Sequence, residues 1–177
     1  MTLPLYFLDT ETTGLSPQRH EIIELCIHRR HDGVGKTWTW KVQPDHIETA
    51  NPRALQINGY DPATWGKEGI TQSDLADMVL QILRDPGIVV AHNAKFDLGF
   101  LGELMALHHP QYTLPANVIC TARMARQLSH VTGWEKASMA YIRDRLGISS
   151  HGAHTAEKDV MDLVIIYDHL AQQDGNP

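Results

Sequence analysis

Asp9 and Glu11 stand two residues apart in LPLYFLDTE, residues 3–11. On a strand that spacing sends both carboxylates out of one face of the sheet, where like charges repel unless a cation lies between them. A third acid, Asp97, follows the apolar run IVVAHN at 88–93 and falls where a helix begins in NAKFDLGFL, 93–101. A fourth, Asp159, belongs to SSHGAHTAEKDVMD at 149–162, with His154 five residues before it. Four carboxylates and a histidine from three segments make a hard, oxygen-rich set suited to magnesium, with manganese as its substitute. The chemistry they suit is two-metal phosphoryl transfer, one ion lowering the pKa of a bound water and the other steadying the leaving oxygen. Histidine, which titrates near neutrality, is the natural general base for that water.

Each of these residues also has an ordinary structural role. Asp9 and Glu11 can form a solvated strand end, Asp97 can complement a helix dipole, and Glu157, Asp159 and Asp162 can line a solvated helix face. His151 and His154 make an HxxH pair of the kind that binds zinc, but no third and fourth ligand accompany it at a recognisable spacing.

The elements that must position these groups follow from pattern. Residues 3–11 form a first strand ended by TTGLSP, and residues 21–29 and 36–43 form a hairpin and meander around Asp32-Gly33. Residues 45–70, broken by Pro52 and Pro62, form a surface excursion with a short helix near 52–55. Leu75, Met78, Val79, Ile82 and Leu83 recur at helical spacing after a cap at Ser73, and Pro86-Gly87 ends that helix. A buried strand at 88–93, a helix at 96–107 and a short strand at 117–121 come next. Helices over 121–128, 138–146 and 155–171 complete the chain. Strands first, then helices alternating with strands, give an α/β domain with a mixed sheet, and both Asp9/Glu11 and Asp97 fall at strand carboxyl ends, where such sheets bind ligands.

At 177 residues and 19.9 kDa, with 42% hydrophobic and 20% charged residues, the chain has the size and composition of one globular domain, 1–177. The net charge of −6 argues against coating nucleic acid by bulk electrostatics, although bound divalent cations would offset a local acidic cluster. No apolar run approaches the length of a membrane span, and Cys26 and Cys120 form no CxxC pair, so a reducing, cytoplasmic setting without membrane contact is expected. Trp38 and Trp40 read as core or a small aromatic patch. Arg29, Arg30, Lys95, Arg123 and Arg126 read as surface cations available to phosphates.

FLDTETTGL at 7–15, NAKFDLGFL at 93–101 and HTAEKD at 154–159 resemble, in order, the three exonuclease motifs of the DnaQ-like family. The histidine five residues before the last aspartate places the resemblance in the DEDDh branch. It implies a ribonuclease H-like fold, a five-stranded mixed sheet flanked by helices, and release of nucleoside 5′-monophosphates from single-stranded 3′ ends of DNA or RNA. By position, Asp9, Glu11, Asp97 and Asp159 match the metal-binding acids and His154 the general base. Thr12 matches the residue whose backbone meets the terminal 3′-hydroxyl, Leu15 an apolar wedge beside the last base, and Asn93 and Phe96 the lining of the nucleotide pocket. An ST-type turn, core contacts and a strand-end cap are the structural alternatives for these four. The motifs leave open an RNA-specific trimming or oligoribonuclease-like activity, and a non-catalytic module holding a 3′ end. They also leave open a homodimer or a larger nucleic-acid-processing complex. The short tail from Gln172 to Pro177 suggests a free-standing trimming nuclease.

Overall fold

The structure is a computed structural model in which residues 2–175 are described. Asn176 and Pro177, the end of the expected tail, lie outside them, as does Met1. Strands β1 (Leu5–Thr12), β2 (Ile22–His31), β3 (Val34–Lys41), β4 (Ile88–Ala91) and β5 (Val118–Cys120) form one sheet in the order β3-β2-β1-β4-β5. The β1–β2 and β2–β3 pairs are antiparallel, whereas β1–β4 and β4–β5 are parallel. The expected mixed, five-stranded α/β architecture is the one formed. Asp32 and Gly33, both with positive φ (49° and 77°), turn β2 into β3 as Asp-Gly hairpins do.

The central strand β1 explains the layering. Tyr6 and Leu8 point to one face and Phe7 to the other, all essentially without solvent contact. On the Leu8 face pack α3 (Gln72–Leu83) and α4 (Ala94–His108), through Leu75, Val79, Phe100 and Leu101. On the Phe7 face packs α8 (Ala156–Gln173), through Ala156, Val160 and Leu163. Helices α5 (Thr121–Gln127) and α7 (Met139–Leu146), with Leu128 and Trp134 from the segment between them that also holds α6 (Ser129–Thr132), form a third cluster with Ile166 and Leu170 of α8. Among the described residues no helix is long and apolar enough to cross a membrane.

Several boundaries differ from the pattern-based reading, each for a local reason. The cap of α3 is Thr71, not Ser73: Thr71 accepts from the Asp74 backbone N–H and Asp74 reaches back, a closed capping box. The β4 strand ends at Ala91, and α4 starts two residues earlier than expected because Asn93 adopts the left-handed conformation (φ 63°) and turns the chain. The surface excursion carries two helices, α1 (Pro52–Ile57) and α2 (Pro62–Glu68), each with Pro at the first position and an Asn or Asp cap. Trp38 and Trp40 pack partly buried against the core.

Candidate active site

Alternation along β1 sends Asp9 and Glu11 to the Phe7 face, toward α8, and Thr10 to the α4 face. The strand carboxyl ends of β1 and β4 lie side by side, so the first turn of α4 starts next to the end of β1. Asp97 occupies that turn, 2% exposed, and its Oδ1 accepts from both the backbone N–H (3.1 Å) and the hydroxyl (2.9 Å) of Thr10. From the other face, α8 brings Asp159 in its first turn, capped by Thr155. His154 precedes it in a left-handed turn (φ 69°) that directs its own N–H to Asp159 Oδ1 at 3.3 Å. Ligand atoms of Glu11, His154 and Asp159 lie within 4.8 Å of one another, the one such group among the described residues. His151 stands outside it.

The electrostatics are those of crowded carboxylates short of positive charge. Burial, then the charges of Asp97, Asp159 and Glu11, push Asp9 well above the usual carboxylate range. Burial, then Asp159, Glu24 and Asp97, push Glu11 up to about 8. Burial raises Asp97 to about 7, against the Thr10 hydrogen bonds that favour its ionised form. Glu24 faces Glu11 across the β1–β2 ladder, buried, and its carboxylate accepts from the Ala156 N–H at 3.1 Å, pinning the start of α8 to the sheet. Oxygen donors gathered this closely and reluctant to ionise together are a fitting bed for hard divalent cations.

The substrate-facing expectations divide. Leu15 projects 81% exposed from the loop after β1, whose turn is closed by the His20 ring packed against Gly14. A Cβ at Gly14 would stand 2.4 Å from that ring. Thr12 is buried; its hydroxyl donates to Gly14 O at 2.7 Å in the turn, and its carbonyl accepts from Asn58 at 2.9 Å. Asn93 is exposed and makes no side-chain cap, while Phe96 is half-buried with its ring centroid 5.0 Å from that of Phe100. Arg30 is drawn into a two-pronged pair with Asp168 (2.9 and 2.7 Å) and stacks over Phe7, which makes it a structural cation. His92 is held neutral, burial pushing it down to about 4.

Pattern reading passed over three members of the neighbourhood. Glu24 sits inside an apolar strand, and its alternation with Cys26 on the α8 face was the available signal. Thr10 gives only its register between the two acids. Arg143 of α7 is 5% exposed and lies against Asp159 and Asp162 (2.6 Å to each), and an arginine in a short amphipathic helix carries no sign of that burial.

A family model described as exonuclease matches residues 6–167. The chain is 27% identical over 176 residues to the DNA polymerase III subunit epsilon of Treponema pallidum, covering 95% of this chain and 78% of that protein. It is 26% identical over 110 residues to Ribonuclease T of Shewanella oneidensis, covering 54% of this chain and 50% of that protein. Among solved structures, E. coli Exonuclease I in complex with a dT13 oligonucleotide shares the fold with a TM-score of 0.87 at 14% identity, over 98% of this chain. The chain spans 42% of the Exonuclease I chain and half of that Ribonuclease T.

Proposed function

Since this chain belongs to the DnaQ-like 3′–5′ exonuclease family and carries its exonuclease domain, we propose that it removes nucleotides one at a time from single-stranded 3′ ends of DNA or RNA, as a DEDDh-type enzyme. The observation that carries this reading is the convergence of Asp9, Glu11, Asp97, Asp159 and His154 from three segments at the carboxyl ends of β1 and β4. Asp9, Glu11, Asp97 and Asp159 would hold magnesium or manganese. When bound, these cations neutralise the acid cluster, favour ionisation of water and stabilise charge on the leaving oxygen.

The chain's own residues account for the rest. Thr10 fixes the Asp97 carboxylate, and Glu24 fixes the start of α8, so the acids meet without reorganisation. His154, exposed at the rim, takes the proton of the attacking water. The P–O3′ bond breaks, the terminal nucleotide leaves as a 5′-monophosphate, and the shortened strand ends in a 3′-hydroxyl. Leu15, free of the core, is placed to wedge beside the last base, and Asn93 and Phe96 to line its pocket. The two free cysteines, one buried, accord with a reducing, cytoplasmic setting.

The test is a panel of 5′-labelled single-stranded DNA and RNA of one sequence with magnesium or manganese. A ladder shortening from the 3′ end on either polymer supports the reading, and relative rates assign the sugar preference. Intact bands with a retarded complex would replace it with a 3′-end-binding module.

A further inference from the structure

Arg143 is a buried cation beside a cluster that is expected to receive cations, and its charge needs a reason. Its guanidinium bridges two carboxylates of α8: Nη2 donates to Asp159 Oδ1 and Nε to Asp162 Oδ2, each at 2.6 Å. Asp162 is 2% exposed and also accepts from Lys158 Nζ at 2.5 Å, so the far end of the bridge is anchored. Asp159 Oδ1 is thus fully engaged, by Arg143 and by the His154 N–H, whereas Oδ2 accepts no hydrogen bond among the described residues. A planar fork that grips one oxygen of a carboxylate fixes the plane of the group and the direction of its other oxygen. Asp97 is held in the same way from the opposite face, with Oδ1 occupied by Thr10.

We propose that Arg143 is a positioning residue: locked by Asp162, it holds Asp159 by one oxygen so that the other is presented to the divalent cation. The inference rests on the proposed function of Asp159 and adds the lever that aims it. Asp162, shared with Lys158, meets part of the guanidinium charge, so the lever orients the ligand at a reduced electrostatic cost to the cation. Replacing Arg143 and Asp162 together removes one charge of each sign, and a melting curve beside the binding measurement separates the positioning role from stability.

The experiment is a calorimetric titration of Mn2+ into the metal-free full chain, together with kcat and KM on a single-stranded oligonucleotide and a melting curve. In the paired variant Arg143→Met/Asp162→Leu, Mn2+ binding is expected to weaken about tenfold, the scale typical when a ligand's orienting partner is lost. The value of kcat should fall at saturating Mn2+ while KM for the oligonucleotide stays within about twofold. In an Asp159→Asn background the same pair should weaken Mn2+ binding no further, because the lever has lost its load. Arg143→Lys, whose ammonium cannot fork to both carboxylates, should restore little. Unchanged or tighter Mn2+ binding in the paired variant overturns the proposal, as does a weakening that persists with Asp159→Asn. Should the paired variant fail to fold, Asp162→Asn decides by the same titration, with weaker Mn2+ binding expected and unchanged binding contradictory. If Asp159→Asn itself binds Mn2+ and cleaves as the parent does, the reading of the site falls; if it is crippled while the paired variant is silent, only the role of Arg143 falls.

Discussion

Glu11 is pushed up to about 8 by burial and the charges of Asp159, Glu24 and Asp97, and Asp97 to about 7 by burial against its Thr10 hydrogen bonds. An unfolded chain releases the protons of both groups near pH 4. Between those limits the folded state binds more protons than the unfolded one, so the contribution of these groups to stability is full below about pH 4 and is lost as pH rises through 7 and 8. The melting temperature of the metal-free chain should therefore be lower at pH 8.5 than at pH 5, and magnesium should raise it more at pH 8.5. Glu11→Gln and Asp97→Asn should flatten this dependence while lowering cleavage by about 100-fold or more, as loss of a metal-ligand charge does. An equal magnesium-induced shift at both pH values in the parent would contradict the electrostatic account. For the base, His154→Ala should cost more activity at pH 7 than at pH 9, where hydroxide partly replaces it, and His151→Ala should be mild. Reversal of that pair would reassign the histidine. Both acids of β1 and the histidine were legible because residue type and spacing carry them; Arg143 was not, since its significance lies in a contact between two helices that no spacing encodes.

Element boundaries show where local chemistry outweighs pattern. Helix α3 was legible from its apolar periodicity, but its cap was not, because Thr71, Ser73 and Asp74 can all serve and only the reciprocal Thr71–Asp74 geometry decides. Thr71→Ala should destabilise the chain by about 1 kcal/mol, whereas Ser73→Ala should stay within about 0.5 kcal/mol in denaturant unfolding. Equal losses would mean that the helix frays to the alternative cap. Asn93 follows the same logic: the run IVVAHN reads as a strand to its end, yet a left-handed residue at 93 starts α4 early and places Asp97 in its first turn, next to Thr10. The turn after β1 was marked by its glycine. That Gly14 admits the His20 ring, and so throws Leu15 outward, depends on packing from six residues away.

At the scale of the molecule, the order β3-β2-β1-β4-β5 puts the change from antiparallel to parallel pairing at β1, and the acids gather at that strand's carboxyl end. Strand order is a long-range property; the sequence showed mixed pairing but not which strand lay at the centre. The net charge of −6 makes an electrostatic expectation specific. An enzyme gripping only the last nucleotides, mainly through cations, backbone groups and Leu15, neutralises about two or three phosphates with its own side chains. Log affinity of a cleavage-dead variant for single strands should then fall with log salt at a slope of roughly −1.5 to −2, at fixed divalent concentration. A slope steeper than about −4 would reveal a long basic track and move Arg123 and Arg126 into the binding surface.

In the proposed function, water activated within one acid cluster cuts the last phosphodiester of a single strand at its P–O3′ bond. Mass analysis of the mononucleotide released in 18O-labelled water with magnesium tests it most directly. The expected product is a nucleoside 5′-monophosphate carrying one labelled oxygen from the solvent, absent when the metal is chelated and absent with Asp159→Asn. A nucleoside 3′-phosphate or a cyclic phosphate, label retained on the shortened strand, or product formed without divalent metal would contradict it.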